Sequence, residues 1–252
     1  MEAFAILLAA GKGTRMKSEL PKVLHPVGGI PMVGRLVDKL ESMPISRIMV
    51  VIGHRGELVQ AYLGTRVTFV EQTKQLGTAH AVLQTEHLLR NRCGSTLVLT
   101  GDTPLIRQST IERLLAAQRA NSCSGVVLTA VIHDPTGYGR IIRDPLNGEV
   151  IDIIEEKDAT PEQKRINEIN TGIFCFDNES LFRALPAISN NNAQHEFYLT
   201  DIVKVMSQTG ISGGLRFEAI VLEDPTEVMG INTPEQLEEA NRAFYARMGI
   251  FA

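Results

Sequence analysis

The chain has 252 residues, of which 44% are hydrophobic, and its 25 Lys and Arg against 29 Asp and Glu give a formal net charge of −4. The apolar fraction excludes a disordered chain, and the near-even charge balance gives no reason to expect a nucleic-acid or membrane partner. A small phosphorylated ligand is compatible with this composition, because it needs only a few well-placed cations.

The three cysteines, Cys93, Cys123 and Cys175, are odd in number and far apart in sequence. This spacing argues against a disulfide framework or a zinc site and favours a reducing compartment. The longest apolar run, Ala3–Ala10, is far shorter than the ~20 residues of a membrane span. No basic segment precedes it, as one would in a secretory signal peptide, so we predict a cytoplasmic protein.

Short β-branched runs alternate with helical patterns through the first half of the chain. The predicted strands are Ala3–Leu8, Arg47–Ile52, Val67–Glu71, Ser95–Thr100 and Gly125–Ile132, and the predicted helices are Met32–Met43, Gly77–Leu89 and Thr110–Ala120. This order predicts an α/β fold, Rossmann-like, with a mostly parallel mixed sheet flanked by helices. Ligands in such folds bind beyond the carboxyl ends of the strands, here the segments after Leu8, Glu71 and Thr100.

The second half is less regular. Asn147-Gly148 predicts a hairpin between strands Arg140–Arg143 and Val150–Glu155. Further predicted elements are strands at Ile173–Phe176 and Leu215–Val221, a helix at Thr200–Thr209, and a last helix that begins at Thr233-Pro234-Glu235 and reaches Arg247. No linker rich in Pro, Gly or Ser interrupts the chain, so residues 1–252 are predicted to form a single domain.

A glycine-rich segment follows the first strand and reads LAAGKGTRM at positions 8–16. Glycines let the backbone approach a ligand and leave peptide N–H groups free to hold an anion, while Arg15 and Lys22 add two positive charges. The alternative is an ordinary strand-to-helix turn with solvated cations. A Walker P-loop is excluded because Ile6 stands at the position of its first glycine, and the dinucleotide fingerprint fails at Met16.

Seven further segments occur in a characteristic order. They are Gln72 with QLGTAHA at 75–81, GDTPL at 101–105, DPTGYGRI at 134–141, EEKDA at 155–159, EINTG at 168–172, NNNAQ at 190–194 and YLTD at 198–201. Together with the glycine-rich segment and Pro21-Lys22 they resemble the sugar-nucleotide pyrophosphorylases. Within that superfamily the sequence resembles, from Phe4 to about Arg247, the N-terminal uridyltransferase domain of the bacterial bifunctional N-acetylglucosamine-1-phosphate uridyltransferase/glucosamine-1-phosphate acetyltransferases.

The resemblance implies the nucleotide-diphospho-sugar transferase fold and a defined reaction. UTP and N-acetylglucosamine-1-phosphate would give UDP-N-acetylglucosamine and pyrophosphate, for cell-wall precursor synthesis. Arg15 and Lys22 would be the catalytic residues, and Asp102 and Asn232 would hold Mg²⁺. Considered alone, Asp102 could equally cap a turn beside Thr103, and Asn232 could belong to the turn before the last helix.

The same resemblance implies the substrate contacts. The nucleotide would be bound by Leu8, Ala9, Ala10, Gly11, Gly13, Gln72, Gly77, Thr78 and Gly101, and the sugar by Gly139, Glu155, Asn170, Tyr198 and Thr200. A glutamine offers both a donor and an acceptor to the uracil edge. The plainer alternatives are a solvated amide for Gln72, a helix N-cap for Gly77 and a solvated charge run for residues 155–158.

The sequence departs from the family at three positions near these residues. Thr100 stands where some relatives carry Tyr, His195 where the family usually has Gly, and Phe197 where Tyr is frequent. The hexapeptide repeats of the acetyltransferase domain are not found, so acetyl transfer is not predicted and the oligomeric state stays open. Alternatives are a nucleotidyltransferase for another sugar or base, or a non-catalytic protein that binds nucleotide sugars.

Overall fold

In the computed structural model, residues 1–121, 123–208 and 216–250 are described, and they form eleven strands and eight α-helices. The strands are β1 Glu2–Ala9, β2 Pro26–Val27, β3 Ile30–Pro31, β4 Arg47–Ile52, β5 Thr68–Glu71, β6 Gly94–Thr100, β7 Gly125–Val131, β8 Arg140–Arg143, β9 Val150–Ile154, β10 Glu168–Asp177 and β11 Phe217–Val221. The helices are α1 Met32–Glu41, α2 Gly56–Leu63, α3 Thr78–Leu83, α4 Glu86–Leu89, α5 Gln108–Asn121, α6 Asn178–Ala184, α7 Ile202–Gln208 and α8 Pro234–Arg247.

One nine-stranded sheet organises these elements, with strand order β11-β7-β10-β6-β1-β4-β5 and β8 and β9 attached beside β10. Pairing along this path is parallel except at β10, which runs antiparallel to both β6 and β7. The predicted mixed, mostly parallel sheet is therefore confirmed. The register aligns Leu8 with Thr100, and Ile52 with both Ala9 and Glu71, so the carboxyl ends of β1, β4, β5 and β6 lie at one edge.

Successive side chains of a strand point to opposite faces of the sheet. Helices pack on both faces and bury the apolar side chains there. Ala5 and Leu7 of β1 belong to a core that also contains Leu36 of α1. Phe4 and Ile6, the alternate residues of the same strand, belong to a second core on the other side. Burial on both sides explains why β1 is an almost continuous apolar run.

Several predicted elements needed correction. The helix predicted over Gly77–Leu89 is divided into α3 and α4 around Thr85, whose hydroxyl donates to the Val82 carbonyl at 2.7 Å. The strand predicted at Ile173–Phe176 is the end of the longer β10, whose pairing with β7 changes register between Asn170 and Phe174. Residues 209 and 215, at the ends of two predicted elements, lie outside the described residues.

The last helix begins as predicted. The Thr233 side chain caps it by accepting from Gln236 N at 3.3 Å, with Pro234 in the first turn. Its far end packs on the short β2–β3 hairpin, where the Arg35 guanidinium lies 4.0 Å above the Phe244 ring. Of the helices in the described ranges, none combines the length and hydropathy needed to cross a membrane.

Candidate active site

A cavity of about 530 Å³ opens at the sheet edge where β1, β5 and β6 end. Most of the residues predicted to bind the nucleotide line it. Its lining consists of Leu8, Ala9, Ala10, Gly11, Lys12, Lys22, Val23, Gln72, Gln75, Gly77, Thr78, Ala81, Thr100, Asp102 and Glu196. The position agrees with the rule that α/β sheets bind ligands beyond the carboxyl ends of their strands.

The glycine-rich segment leaves β1 and turns back toward Lys22. Gly13 has a left-handed backbone with φ of 60°, and a Cβ placed on it would lie 2.8 Å from Lys22 Cβ. A side chain at this position would therefore push against the residue that reaches into the cavity. Gly13 does not itself line the cavity, so its geometry supports a role in positioning Lys22.

Lys22 is the centre of a charged cluster formed by Arg15, Lys22, Asp102 and Asn232. Its ammonium nitrogen lies 2.5 Å from Asp102 Oδ2 and 2.8 Å from Asn232 Oδ1. Arg15 Nη2 donates to the same amide oxygen at 3.0 Å. The Ile231 amide donates to the Asp102 carbonyl at 3.0 Å, and this contact brings the turn before α8 to the end of β6. Both cations and both predicted metal ligands thus meet at one side of the cavity.

The chemistry of this cluster fits a magnesium ion. A carboxylate oxygen and an amide oxygen, both hard ligands, already face each other across a single positive charge, the Lys22 ammonium. Protein Mg²⁺ sites commonly supply only one or two such ligands and leave the rest to phosphates and water. The described residues contain no group of three or more His, Cys, Asp or Glu side chains that could hold a metal.

On the opposite side of the cavity, the loop before α3 is tied to residues 197–199. The Ala79 amide donates to the Phe197 carbonyl at 2.9 Å, and the Leu199 amide donates to Thr78 Oγ1 at 2.9 Å. Gly77 has φ of 116°, and a Cβ on it would lie 2.4 Å from the Phe197 carbonyl oxygen. Gly77 is also the N-cap of α3, which confirms the structural alternative for this residue, and it lines the cavity.

Four of the predicted sugar-binding residues are adjacent. Thr200 Oγ1 donates to Glu155 Oε1 at 3.0 Å, and the Asn170 amide donates to the Gly139 carbonyl at 2.8 Å. A Cβ on Gly139 would lie 3.5 Å from both Glu155 Cδ and Asn170 Cβ. Burial raises the pKa of Glu155, while the bond from Thr200 opposes that shift. Glu155 is thus a largely buried acceptor rather than part of a solvated charge run.

None of the five predicted sugar-binding residues lines the main cavity, and neither does Gly101. Tyr198 lines a second cavity of about 540 Å³ together with Glu155 and Asp201, and its hydroxyl accepts from Gln194 at 2.7 Å. Gly101 donates its amide to the Leu8 carbonyl at 2.9 Å, and a Cβ there would lie 2.8 Å from Val23. Gly101 therefore keeps the ends of β1 and β6 close together.

Comparison with known proteins identifies the family. A family model described as the MobA-like NTP transferase domain matches residues 5–170, which include the glycine-rich segment, Lys22 and Asp102. The chain belongs to this NTP transferase family. Its class of reaction is therefore nucleotidyl transfer.

Curated relatives match along nearly the whole of this chain. The chain is 47% identical over 245 residues to the bifunctional protein GlmU of Enterococcus faecalis and 48% identical over 236 residues to that of Brevibacillus brevis. These alignments cover 97% and 94% of this chain but only 52% and 50% of the relatives. The chain spans about half the length of the curated relatives it matches.

Solved structures show the same fold. A UDP-glucose pyrophosphorylase complexed with UDP-glucose superposes with a TM-score of 0.78 at 19% identity, covering 98% of this chain and 100% of the other. The apo form of a UDP-glucose pyrophosphorylase gives 0.77 at 18% identity. The predicted nucleotide-diphospho-sugar transferase fold is confirmed.

Six cavity residues of this NTP transferase domain were not predicted as site residues from sequence: Lys12, Val23, Gln75, Ala81, Thr100 and Glu196. Gln75 Nε2 donates to the Gln72 carbonyl at 3.3 Å, so it supports the end of β5. Lys12 belongs to the glycine-rich segment and Gln75 to the QLGTAHA motif, in which only neighbouring residues were predicted to contact the ligand. Glu196 reaches the cavity through the pairing of residues 197–199 with the loop before α3, which no local pattern reveals.

Proposed function

We propose that this chain is a Mg²⁺-dependent uridylyltransferase that converts UTP and N-acetylglucosamine-1-phosphate into UDP-N-acetylglucosamine and pyrophosphate. The observation that carries the proposal is the meeting of Arg15, Lys22, Asp102 and Asn232 beside the cavity. The similarity to GlmU proteins along nearly the whole chain supports the choice of substrates. The product would enter cell-wall precursor synthesis, and a cytoplasmic location stays a prediction.

The reaction requires alignment and charge neutralisation more than proton transfer. An oxygen of the sugar phosphate attacks the α-phosphorus of UTP, and the bond from that phosphorus to the bridging oxygen of the leaving pyrophosphate breaks. The attacking oxygen is already anionic, so no general base is needed. Lys22 and Arg15 are suited to neutralise the charge that develops on the α-phosphoryl and leaving groups.

Asp102 and Asn232 would hold the magnesium ion, since their oxygens already face one cation. When bound, the metal would supply charge neutralisation between the phosphates of the two substrates. Arg15 and Lys22 each donate to Asn232 and are therefore positioned next to that metal site. The acidic overall charge is compatible with two phosphorylated substrates, because Arg15 and Lys22 place two positive charges at this cluster.

The main cavity suits a uracil nucleotide, and the cluster around Glu155, which lies outside its lining, would bind the N-acetyl sugar. Gln72, Gly77 and Thr78 would face the base, with the backbone of residues 8–11 beside it. Glu155 can accept hydrogen bonds from sugar hydroxyls, and Asn170 can bond the N-acetyl group. Tyr198 and Thr200 would contribute through the second cavity and through Glu155, respectively.

A substrate panel tests this proposal. Pyrophosphate release should be measured with UTP, CTP, ATP, GTP and dTTP, each combined with N-acetylglucosamine-1-phosphate, glucosamine-1-phosphate or glucose-1-phosphate. The proposal predicts the highest kcat/KM for UTP with N-acetylglucosamine-1-phosphate. A preference for another sugar would refute the proposed substrate, and absence of turnover in either direction with Mg²⁺ would refute the proposed activity.

A further inference from the structure

We propose that His80 is a positioning residue that fixes the side-chain amide of Gln72, and that this fixed amide makes the base site select uracil over cytosine. The inference rests on the proposed function, because it assumes that Gln72 faces the base of the nucleotide. It assigns a task to a side chain of α3 that lies just outside the cavity lining.

The surroundings of Gln72 determine which way its amide points. The side chain is only 3% exposed, and its Nε2 lies 3.0 Å from the Gly77 carbonyl oxygen and 3.0 Å from His80 Nδ1. A backbone carbonyl can only accept, so the amide nitrogen must lie at this end of the side chain. One N–H then bonds Gly77 and the other bonds His80, which uses both donors.

This arrangement requires one particular form of the imidazole. His80 Nδ1 can accept only when the ring is neutral and carries its proton on Nε2. Burial lowers the pKa of His80 and so favours the neutral ring. Gln84 Nε2 lies 3.2 Å from His80 Nε2 and 2.9 Å from the His80 carbonyl oxygen, so a proton on His80 Nε2 requires the less buried Gln84 side chain to turn away from the ring.

Only the carbonyl oxygen of Gln72 remains for a ligand. It accepts no hydrogen bond from the described part of the chain, and the side chain lines the cavity. Uracil presents an N3–H donor at the position where cytosine presents an N3 lone pair. A fixed acceptor therefore bonds uracil, whereas with cytosine two acceptors would face each other.

Two nearly isosteric variants test the assignment. In His80→Asn the amide oxygen can lie near the former Nδ1 position, whereas in His80→Gln it lies near the former Nε2 position. The measured quantity is the ratio of kcat/KM for UTP to that for CTP. We expect His80→Asn to keep the wild-type ratio and His80→Gln to lower it about tenfold, the worth of roughly one hydrogen bond.

His87→Asn is the matched control, because this histidine is exposed and lies on α4, outside the cavity lining. Its UTP:CTP ratio should equal that of the wild type. If His80 had a purely structural role, both variants would lower kcat/KM for UTP and for CTP by the same factor. Equal UTP:CTP ratios in His80→Asn and His80→Gln would therefore overturn the inference.

The outcomes separate this inference from the proposed function. If the wild type turns over UTP and the ratios of both variants agree, only the role of His80 fails. Absence of wild-type turnover with UTP defeats the proposed function. If His80→Gln does not fold, His80→Asn decides, because a lowered ratio in that variant contradicts the assignment.

Discussion

Lys22 Nζ lies 2.5 Å from Asp102 Oδ2, although 80 positions separate the two residues in the chain. Both side chains are partly exposed, at 18% and 16%, so the ion pair is accessible from the cavity. An exposed ion pair of this kind contributes at most about 1 kcal/mol to folding stability. This contact is therefore better explained by a role in placing Lys22 and Asp102 at the cavity than by a role in folding stability.

If Asp102 and Asn232 hold Mg²⁺, a substitution of Asp102 should weaken metal binding more than one of Asn232, because only Asp102 carries a formal negative charge. We expect a chelator to abolish turnover and added Mg²⁺ to restore it. In Asp102→Asn the half-saturating Mg²⁺ concentration should rise at least about tenfold, because the carboxylate is lost while the shape is kept. Activity that persists after complete chelation would contradict the metal site. A wild-type Mg²⁺ requirement in Asp102→Asn would exclude Asp102 as a ligand.

Gly77 provides a test of the loop that faces the base. A Cβ at this position would lie 2.4 Å from the Phe197 carbonyl oxygen, so Gly77→Ala should displace the loop and raise the KM for UTP about tenfold or more. Gly148→Ala is the control, since Gly148 also has a positive φ, 75°, but has no atom within 4 Å of an added Cβ. Steady-state kinetics with both variants distinguishes the steric effect from backbone strain. Equal KM values would show that the loop tolerates a side chain.

His195 occupies a left-handed backbone conformation with φ of 54°. This conformation is costly for any residue with a Cβ. We expect His195→Gly to stabilise the protein by about 0.5–1 kcal/mol, the strain relieved less the extra entropy of glycine in the unfolded chain. Urea unfolding measures the difference. His195→Ala should give no such gain, and an equal gain would assign the cost to the histidine side chain.

Asp201 makes stability depend on pH. Burial raises its pKa to about 6, with Asp152 and Asp158 adding to the shift and Lys204 opposing it. The pKa of Asp201 is higher in the folded than in the unfolded protein. Its favourable contribution to the free energy of unfolding is therefore complete below about pH 4 and is lost as the pH rises through 6. The free energy of unfolding of Asp201→Asn should therefore exceed that of the wild type by about 1–2 kcal/mol at pH 8, after allowance for solvent screening. The gain should vanish near pH 3.5, and urea unfolding at both pH values decides; a gain that is equal at both would exclude titration of Asp201.

The strands at the ligand-binding edge were predictable because their residues are apolar and β-branched on both faces. The bounds of β4 and β8 agree with the prediction to the residue. In contrast, α2 was missed because it is short and only Gly56, Val59 and Leu63 are buried. The extent of β10 depends on a register shift at Asn170–Phe174, which is a property of its pairing with β7 and not of its own pattern.

For the site, the glycine-rich segment and the resemblance to the family identified the residues but not their arrangement. The approach of Asn232 to Lys22, across 210 positions, results from packing of the turn before α8 against β6. Local sequence carries no signal for such a long-range contact. The same reason explains why Glu155 and Tyr198, both predicted beside the sugar, line the second cavity and not the main one, and why Glu196 was not predicted at all.

The central claim is that Lys22, beside Asp102 and Asn232, promotes uridylyl transfer. Its most direct test is pyrophosphate release from UTP and N-acetylglucosamine-1-phosphate with Mg²⁺, in the wild type, in Lys22→Ala and in the control Arg66→Ala. Arg66 pairs with Asp38 and Glu41 and does not line either cavity, so its loss should leave turnover unchanged. The predicted result is a loss of kcat by a factor of about 100 or more in Lys22→Ala alone, with the fold intact. A near-normal kcat in Lys22→Ala would contradict the claim.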